Sequence, residues 1–279
     1  MIELQELEKV YKNGQVALRG ISASFKGRVT SIIGRNGAGK TTLMRILSTQ
    51  LIPTSGSATI NGMDILHEQD RIRKNLVSIP QEGRPIGLLT PFEHLKIYLA
   101  ARGMSFQGAT EASQYALKKL ELWEFRNSPT DTLSGGMKRK LFVAMAIASG
   151  AETVFLDEPT TGLDPVSRLE VWSSIKELSS EVLLTTHYME EAMALSDDIV
   201  FIDNGMIIKK GTINELLMDF DGKIRVESTQ PVSGWTRIGN TYISYVDTDS
   251  ASAYVRKGYS VKQVTLEDLF VRYGVQIES

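Results

Sequence analysis

The sequence predicts an α/β fold built on a parallel sheet, with an antiparallel β subdomain ahead of it, a helical insert within it and a small α/β appendage behind it. Three observations lead there. Gly34 to Thr42 reads Gly-Arg-Asn-Gly-Ala-Gly-Lys-Thr-Thr and fits G-x-x-x-x-G-K-[ST], in which glycines let backbone N–H groups curl around a polyphosphate while a lysine and a hydroxyl reach the terminal phosphates and Mg²⁺. Val29 to Ile33 before it is an apolar run of strand length, and Leu43, Ile46 and Leu47 after it share one helix face, the strand, loop and helix order that the motif needs. Thr153-Val-Phe-Leu156 and Val182-Leu-Leu-Thr-Thr186 are further buried strands with a helical segment between them, the βαβ pattern of a parallel sheet.

Residues 2 to 10 and 17 to 25 alternate apolar and polar side chains imperfectly across the turn sequence Lys12-Asn13-Gly14-Gln15, so antiparallel strands are expected to precede the loop strand. Tyr11, at the mouth of that turn, is open to two readings: an ordinary edge-strand aromatic, or a flat surface on which an adenine could stack.

After the loop helix, Pro53 to Gly56 is a turn, and Ser57 to Asn61 is a short strand. Leu76 to Pro80 is another strand, followed by Gln81, which could serve the turn or reach into a site. From Pro91 to about Leu122 the period becomes helical, with Phe92, Leu95, Tyr98 and Leu99 on one face and Tyr115, Leu117, Leu120 and Leu122 on another. His67 and His94 have no chemical setting in the sequence and are expected at the surface.

Leu133-Ser-Gly-Gly-Met137 stands directly before the apolar helix Lys138 to Ala148. Ser134 has the chemistry of an N-cap, and the glycines expose N–H groups at a positive helix end. This is either a capped helix after a flexible turn or a second place that attracts an anion. Asp157-Glu158 ends the strand from Thr153, and two carboxylates there are costly unless they meet water, cations or hydrogen bonds. After a phosphate-binding loop, the first acid is expected to help hold Mg²⁺, and the second could take a proton from water. The segment Val166 to Leu178, with Leu169, Trp172, Ile175 and Leu178 spaced for one face, crosses over to the strand that ends at His187. His187 is thereby delivered to the same sheet edge as the loop and the two acids.

Asn204-Gly205 marks a hairpin between Ile199–Asp203 and Met206–Lys209, and Thr212-Ile-Asn-Glu215 is a capping box. Beyond it, strands at 223–228, 241–246 and 261–264, a helix at 250–257 and a Thr265-x-x-Asp268 helix start make up the appendage.

Composition limits the function classes. The 279 residues are 42% hydrophobic and carry a formal net charge of −2, with a pI near 6.0. That balance lacks the basic field that drives nucleic-acid binding, so no nucleic-acid partner is expected. Without cysteine there is no disulfide frame, thiol nucleophile or Cys-based metal site. The N-terminal ten residues lack the apolar core of a secretory signal, and no apolar run reaches the length of a spanning helix. A cytoplasmic location is expected.

With Gly34–Thr42, Leu133–Met137, Val154–Glu158 and His187 in this order, the chain resembles the nucleotide-binding subunit of an ATP-binding-cassette (ABC) transporter over residues 1 to about 218. The resemblance implies a P-loop NTPase with a RecA-like parallel core, a helical subdomain inserted at about 83–150, and an accessory domain at 219–279. It implies ATP and Mg²⁺ as cofactors. Tyr11 matches the aromatic that stacks on adenine. Gly34, Arg35, Asn36, Gly37, Ala38, Gly39, Lys40, Thr41 and Thr42 match the phosphate loop. Gln81 matches the Q-loop glutamine near Mg²⁺ and the transporter contact. Thr41 and Asp157 match the Mg²⁺ ligands, Glu158 the residue that activates water, Asp164 the D-loop acid, and His187 the histidine that contacts the γ-phosphate. Ser134, Gly135 and Gly136 match the signature motif that closes over the γ-phosphate of a second copy, with Met137 where the family has glutamine. Lys40, Gln81, Glu158 and His187 are thus the implied catalytic set.

Leu133 to Arg139 and the tail Thr265-Leu-Glu-Asp-Leu-Phe270 look like the ABC-2 type exporter ATPases. The implied partners are a separate integral-membrane permease and a second nucleotide-binding subunit, identical or not, which would hold the chain peripherally on the inner face of the cell membrane. The competing class is a soluble ABC ATPase acting on nucleic acid or the ribosome; its members carry very long coiled-coil inserts or two cassettes, and this sequence contains neither.

Overall fold

The alternating N-terminal stretches form β1 (Ile2–Val10) and β2 (Val16–Phe25), antiparallel from Ile2 against Phe25 to Val10 against Val16. The computed structural model describes residues 1–274, and of these the side chains of 270, 273 and 274 lie outside the description. The apolar run becomes β3 (Val29–Ile33), buried at every position, and the glycine loop leads into α1 (Lys40–Leu47). Leu43, Ile46 and Leu47 are fully buried, the face their spacing predicts. β4 (Ser55–Ile60) and β5 (Met63–Asp64) complete a sheet in the order β2-β1-β4-β5. Its Leu4, Leu7, Ile21 and Ile60 share one apolar cluster with α1 and Ile32. α2 (Gln69–Asn75) buries Ile72 alone, so no apolar period marks it in the sequence, and β6 (Leu76–Ile79) follows.

The insert holds α3 (Pro91–Ala101), α4 (Phe106–Lys119) and α5 (Gly135–Ser149). Each begins at a hydroxyl cap: Thr90 in a reciprocal box with Glu93, Ser105 accepting from Gly108, and Ser134 accepting from Met137. Leu95, Leu99, Leu117, Leu120, Leu122 and Leu141 pack together. Tyr115 departs from the face assigned to it and is 59% exposed, because a residue two positions from Leu117 lies across the helix from it.

His94 is buried, contrary to the surface position expected of it. The 80–90 loop folds over the first turn of α3, and the Ile86 N–H donates to His94 Nε2 at 2.7 Å. Burial holds its imidazole below its ordinary pKa of 6.5. A folded-state pKa below the unfolded one means that the unfolded chain binds the proton more readily, so the stability contributed is full above about pH 6.5 and is lost as pH falls. The wild-type melting temperature is therefore expected to fall more between pH 7.5 and 5.5 than that of His94→Ala, which lacks the group. Parallel slopes in the two proteins would remove His94 from this role.

β7 (Thr153–Asp157), α6 (Pro165–Lys176), β8 (Glu181–Thr186), α7 (Met189–Leu195), β9 (Asp198–Asp203) and β10 (Met206–Gly211) complete the core. On α6 the buried residues are Val171, Ser174 and Ile175, and Leu178 follows on the same stripe. Leu169 lies off that stripe at 60% exposure, which corrects its predicted place. The sheet order is β10-β9-β3-β8-β7-β6, with β9, β8, β7 and β6 parallel to their neighbours around β3. Asn204 and Gly205 take φ of 47° and 76°, the left-handed pair that a tight hairpin turn requires. The carboxyl ends of β3, β8, β7 and β6 share one edge, where such sheets bind ligands.

The chain divides into two compact units, Met1–Lys210 and the residues from Gly211 on. The second contains α8 (Ile213–Leu217), opened by the Thr212–Glu215 box, then β11 (Lys223–Ser228), β12 (Thr236–Ile238), β13 (Thr241–Asp247), α9 (Ala251–Arg256), β14 (Ser260–Gln263) and α10 (Glu267–Gly274). Its sheet runs β12-β13-β11-β14. The Thr265–Asp268 start is one-sided: Asp268 Oδ2 accepts from Thr265 N at 2.7 Å, while the Asp268 N–H goes to the Thr265 carbonyl. Asp268 is fully buried and also accepts from Arg225 Nη1 at 3.1 Å and the Tyr245 hydroxyl at 2.9 Å. It anchors this unit's core as well as starting a helix.

Candidate functional site

Two close approaches set the shape of the glycine loop. A Cβ at Gly34 would lie 2.3 Å from the Ile202 carbonyl oxygen, and one at Gly39, where φ is 106°, would lie 2.6 Å from that of Ala17. Only glycine fits either place. Gly39 caps α1 in the left-handed region, so the first N–H groups of the helix face the loop and offer it partial positive charge.

Lys40 is 5% exposed. Its Nζ donates to the carbonyls of Gly34 at 2.8 Å and Arg35 at 3.2 Å, and stands 3.4 Å from Glu158 Oε1. At the end of β7, the Thr41 hydroxyl donates to Asp157 Oδ1 at 3.3 Å. Thr185, on the strand between β3 and β7, pairs with Asp157 on one side and Ile32 on the other. Its hydroxyl donates to Asp157 Oδ1 and accepts from the Glu158 N–H at 3.0 Å. One buried threonine thus sets both acids. A threonine amid valine and leucine is the signal that could have pointed to it.

Glu158, 6% exposed, has φ 47°, a left-handed backbone that costs a non-glycine residue about 1–3 kcal/mol and persists where the surroundings enforce it. Its Oε2 accepts from the Thr161 hydroxyl at 2.9 Å and Gln81 Nε2 at 3.2 Å, and lies 2.9 Å from His187 Nδ1. The βαβ crossover and β6 therefore bring Lys40, Gln81 and His187 onto one carboxylate. The Gln81 carbonyl accepts in turn from Arg139 of α5. Thr161, Thr185 and Arg139 are contacts that sequence reasoning did not single out.

Tyr11, Asn36, Gly37, Gly39, Lys40, Thr41, Thr42, Gln81 and Glu158 line a cavity of about 490 Å³, within the range of small-molecule sites. The Tyr11 hydroxyl is 3.0 Å from that of Thr42. Ala38 is buried in the loop, and its carbonyl accepts from Gly205 N. Ser134, Gly135 and Gly136 do not line this cavity; Gly135 lines another, with Arg139 and Thr161–Leu163. Asp164 caps α6, its Oδ1 accepting from Val166 and Ser167 at 3.1 Å, and hydrogen bonds from Ser167 hold its carboxyl below the usual range. The arrangement offers N–H groups and an ammonium to an anion, hard oxygens to a divalent cation, and a carboxylate to a water.

Residues 18–161 match the model of the ABC transporter family. The chain belongs to the ABC transporter family. Its place there is the nucleotide-binding domain, the part that hydrolyses ATP, and it is closely related to the ABC-2 type exporter ATPases. It is 44% identical over 208 residues to the rat ATP-binding cassette sub-family A member 2, covering 73% of this chain and 8% of that protein. Against the doxorubicin resistance ATP-binding protein of Mycobacterium tuberculosis the identity is 40% over 215 residues, covering 75% of this chain and 65% of the relative. A dimeric ATP-binding cassette in a post-hydrolysis state, bound to ADP and Pi, superposes with TM-score 0.68 at 26% identity, covering 76% of this chain and 98% of that one. The chain therefore spans about 8–12% of the sub-family A relatives and about two thirds of the bacterial one. Among the described residues, no helix of this ABC domain is long and apolar enough to cross a membrane.

Proposed function

We propose that this chain is the ATP-hydrolysing subunit of a membrane exporter and works as one half of an ATP-closed dimer. The observation that carries this is the convergence of Lys40, Gln81, Thr161 and His187 on Glu158, beside Asp157 and Thr41. In this reading, Lys40 leaves its own loop carbonyls for the β- and γ-phosphates, and Gly34 to Thr42 supply N–H groups around them. Tyr11 offers its ring to adenine. Thr41 and Asp157 fit Mg²⁺, which takes few protein oxygens and completes its shell with phosphate and water, with Gln81 at its margin. When bound, the ion neutralises charge on the β- and γ-oxygens. Glu158 orients and deprotonates the attacking water, and His187, held against it, faces the γ-phosphate.

Ser134, Gly135 and Gly136 lie away from the loop cavity of their own chain, so we assign them to the loop of a second subunit, where the positive end of α5 meets the γ-phosphate. ATP binding then favours the closed dimer by mass action, and hydrolysis releases it. The family resemblance supports a separate permease partner, which would hold the subunit at the inner face of the membrane. Measured over about a hundredfold range of protein concentration, ATPase activity per chain is expected to rise and then saturate as dimers form. Activity per chain that stays constant while the protein remains monomeric would sink the half-site model. Absence of Mg²⁺-dependent ATPase activity at any concentration would sink the proposed function itself.

A further inference from the structure

A buried acid outside the set described above ties together the segments that present Glu158 and His187. Glu191, on α7 four residues past His187, is fully buried. Its Oε1 accepts from the Thr160 hydroxyl at 2.7 Å and from the Trp172 indole N–H at 2.8 Å. Thr160 is two residues from Glu158, and Trp172 belongs to α6, which Asp164 caps. The Arg168 guanidinium, one turn before Trp172 on α6, stacks over the Tyr188 ring at 3.9 Å, and that ring lies 4.1 Å from the His187 imidazole.

Glu191 Oε2 is also buried and makes no hydrogen bond of normal length among the described residues, although the Thr186 hydroxyl stands near enough to the carboxylate to favour its ionised form. Desolvation of this kind is costly for an ion, and for a polar group left unpaired. Burial pushes the Glu191 carboxyl up, against the hydrogen bonds to it and the charge of Arg168. An apolar side chain here would avoid that cost, but it could not accept from both Thr160 and Trp172.

We infer that Glu191 is a positioning residue: through Thr160 and Trp172 it locks the segment after Glu158 and the middle of α6 to the turn that carries His187. The 2.9 Å contact between His187 and Glu158 joins two strand ends, and the Glu191 carboxyl is the bracket behind that joint. This role rests on the proposed ATPase function. It makes no demand on the glycine loop, which lies in front of the acids.

The test is steady-state hydrolysis of Mg²⁺-ATP by the full chain, with ATP binding followed separately by calorimetry. Glu191→Ala is expected to lower kcat at least tenfold while KM and the dissociation constant for ATP stay within twofold. Glu191→Gln keeps an acceptor oxygen for Thr160 and Trp172 and is expected to recover kcat to within threefold of wild type. A folded Glu191→Ala protein with kcat within twofold of wild type would overturn the inference, as would failure of Glu191→Gln to rescue, or a loss of ATP affinity matching the loss of kcat. If Glu191→Ala does not fold, Trp172→Phe removes one of the two donors and keeps an aromatic ring; it should lower kcat with KM unchanged, and an unchanged kcat would reject the bracket. Wild-type protein that binds ATP but shows no turnover would fail the proposed function and this inference with it, whereas an active wild type with indifferent variants fails the inference alone.

Discussion

Glu158→Gln is expected to bind ATP about as tightly as wild type and to hydrolyse it roughly 10²–10⁴-fold more slowly, the contribution of a positioned general base. The substitution is nearly isosteric, and the amide oxygen can still accept from Thr161. The amide cannot take a proton from water at neutral pH. Binding should survive because the loop N–H groups, Lys40, Thr41 and Asp157 are unchanged, and Lys40, relieved of its ion pair at 3.4 Å, becomes freer to meet phosphate. The variant should also accumulate as an ATP-bound dimer, since closure no longer ends in hydrolysis. Phosphate release measured beside calorimetric ATP binding separates the two quantities. Steady turnover at the wild-type rate would remove Glu158 from its role and leave water activation to another group.

Much of this site is legible before any coordinates, for physical reasons that differ by residue. The glycine loop declares itself because close backbone approach leaves no residue but glycine at Gly34 and Gly39. Asp157, Glu158 and His187 are legible because apolar strands end abruptly in charge, and parallel topology sends those ends to one edge. Capping boxes at Thr90 and Thr212 are short-range chemistry, and only the second was read from sequence. The sequence does not predict the burial of His94, because its setting is made by the 80–90 loop folding back onto α3, which periodicity cannot express. Tyr115 and Leu169 are exposed against the spacing that predicts them buried, because any apolar residue near a helical stripe looks like part of it. Thr185 and Glu191 went unread for a different reason: their partners are 28 and 31 residues away in sequence, and only the fold brings them together.

Lys40→Met should separate the two tasks of that lysine. In the structure its ammonium is buried against Gly34 O, Arg35 O and Glu158 Oε1, so it serves folding before any nucleotide arrives. Removing one partner of a buried ion pair typically costs roughly 3–5 kcal/mol, because the other charge is left unpaired. The cost here should fall below that range, since Glu158 keeps contacts with Gln81, Thr161 and His187. The variant should thus melt lower than wild type, and the double variant Lys40→Met with Glu158→Gln should regain part of that loss by removing the stranded carboxylate. Nucleotide linkage should behave in the opposite way. With ATP at a hundred times its dissociation constant, wild type gains about 2.7 kcal/mol of stability; both variants should lose most of that gain, because neither restores a cation to the phosphates. Thermal melts of the three proteins with and without Mg²⁺-ATP give all the terms. An ATP-induced shift in Lys40→Met equal to that of wild type would show that the loop N–H groups hold the phosphates without the lysine. A double variant no more stable than Lys40→Met would show that Glu158 was never left uncompensated.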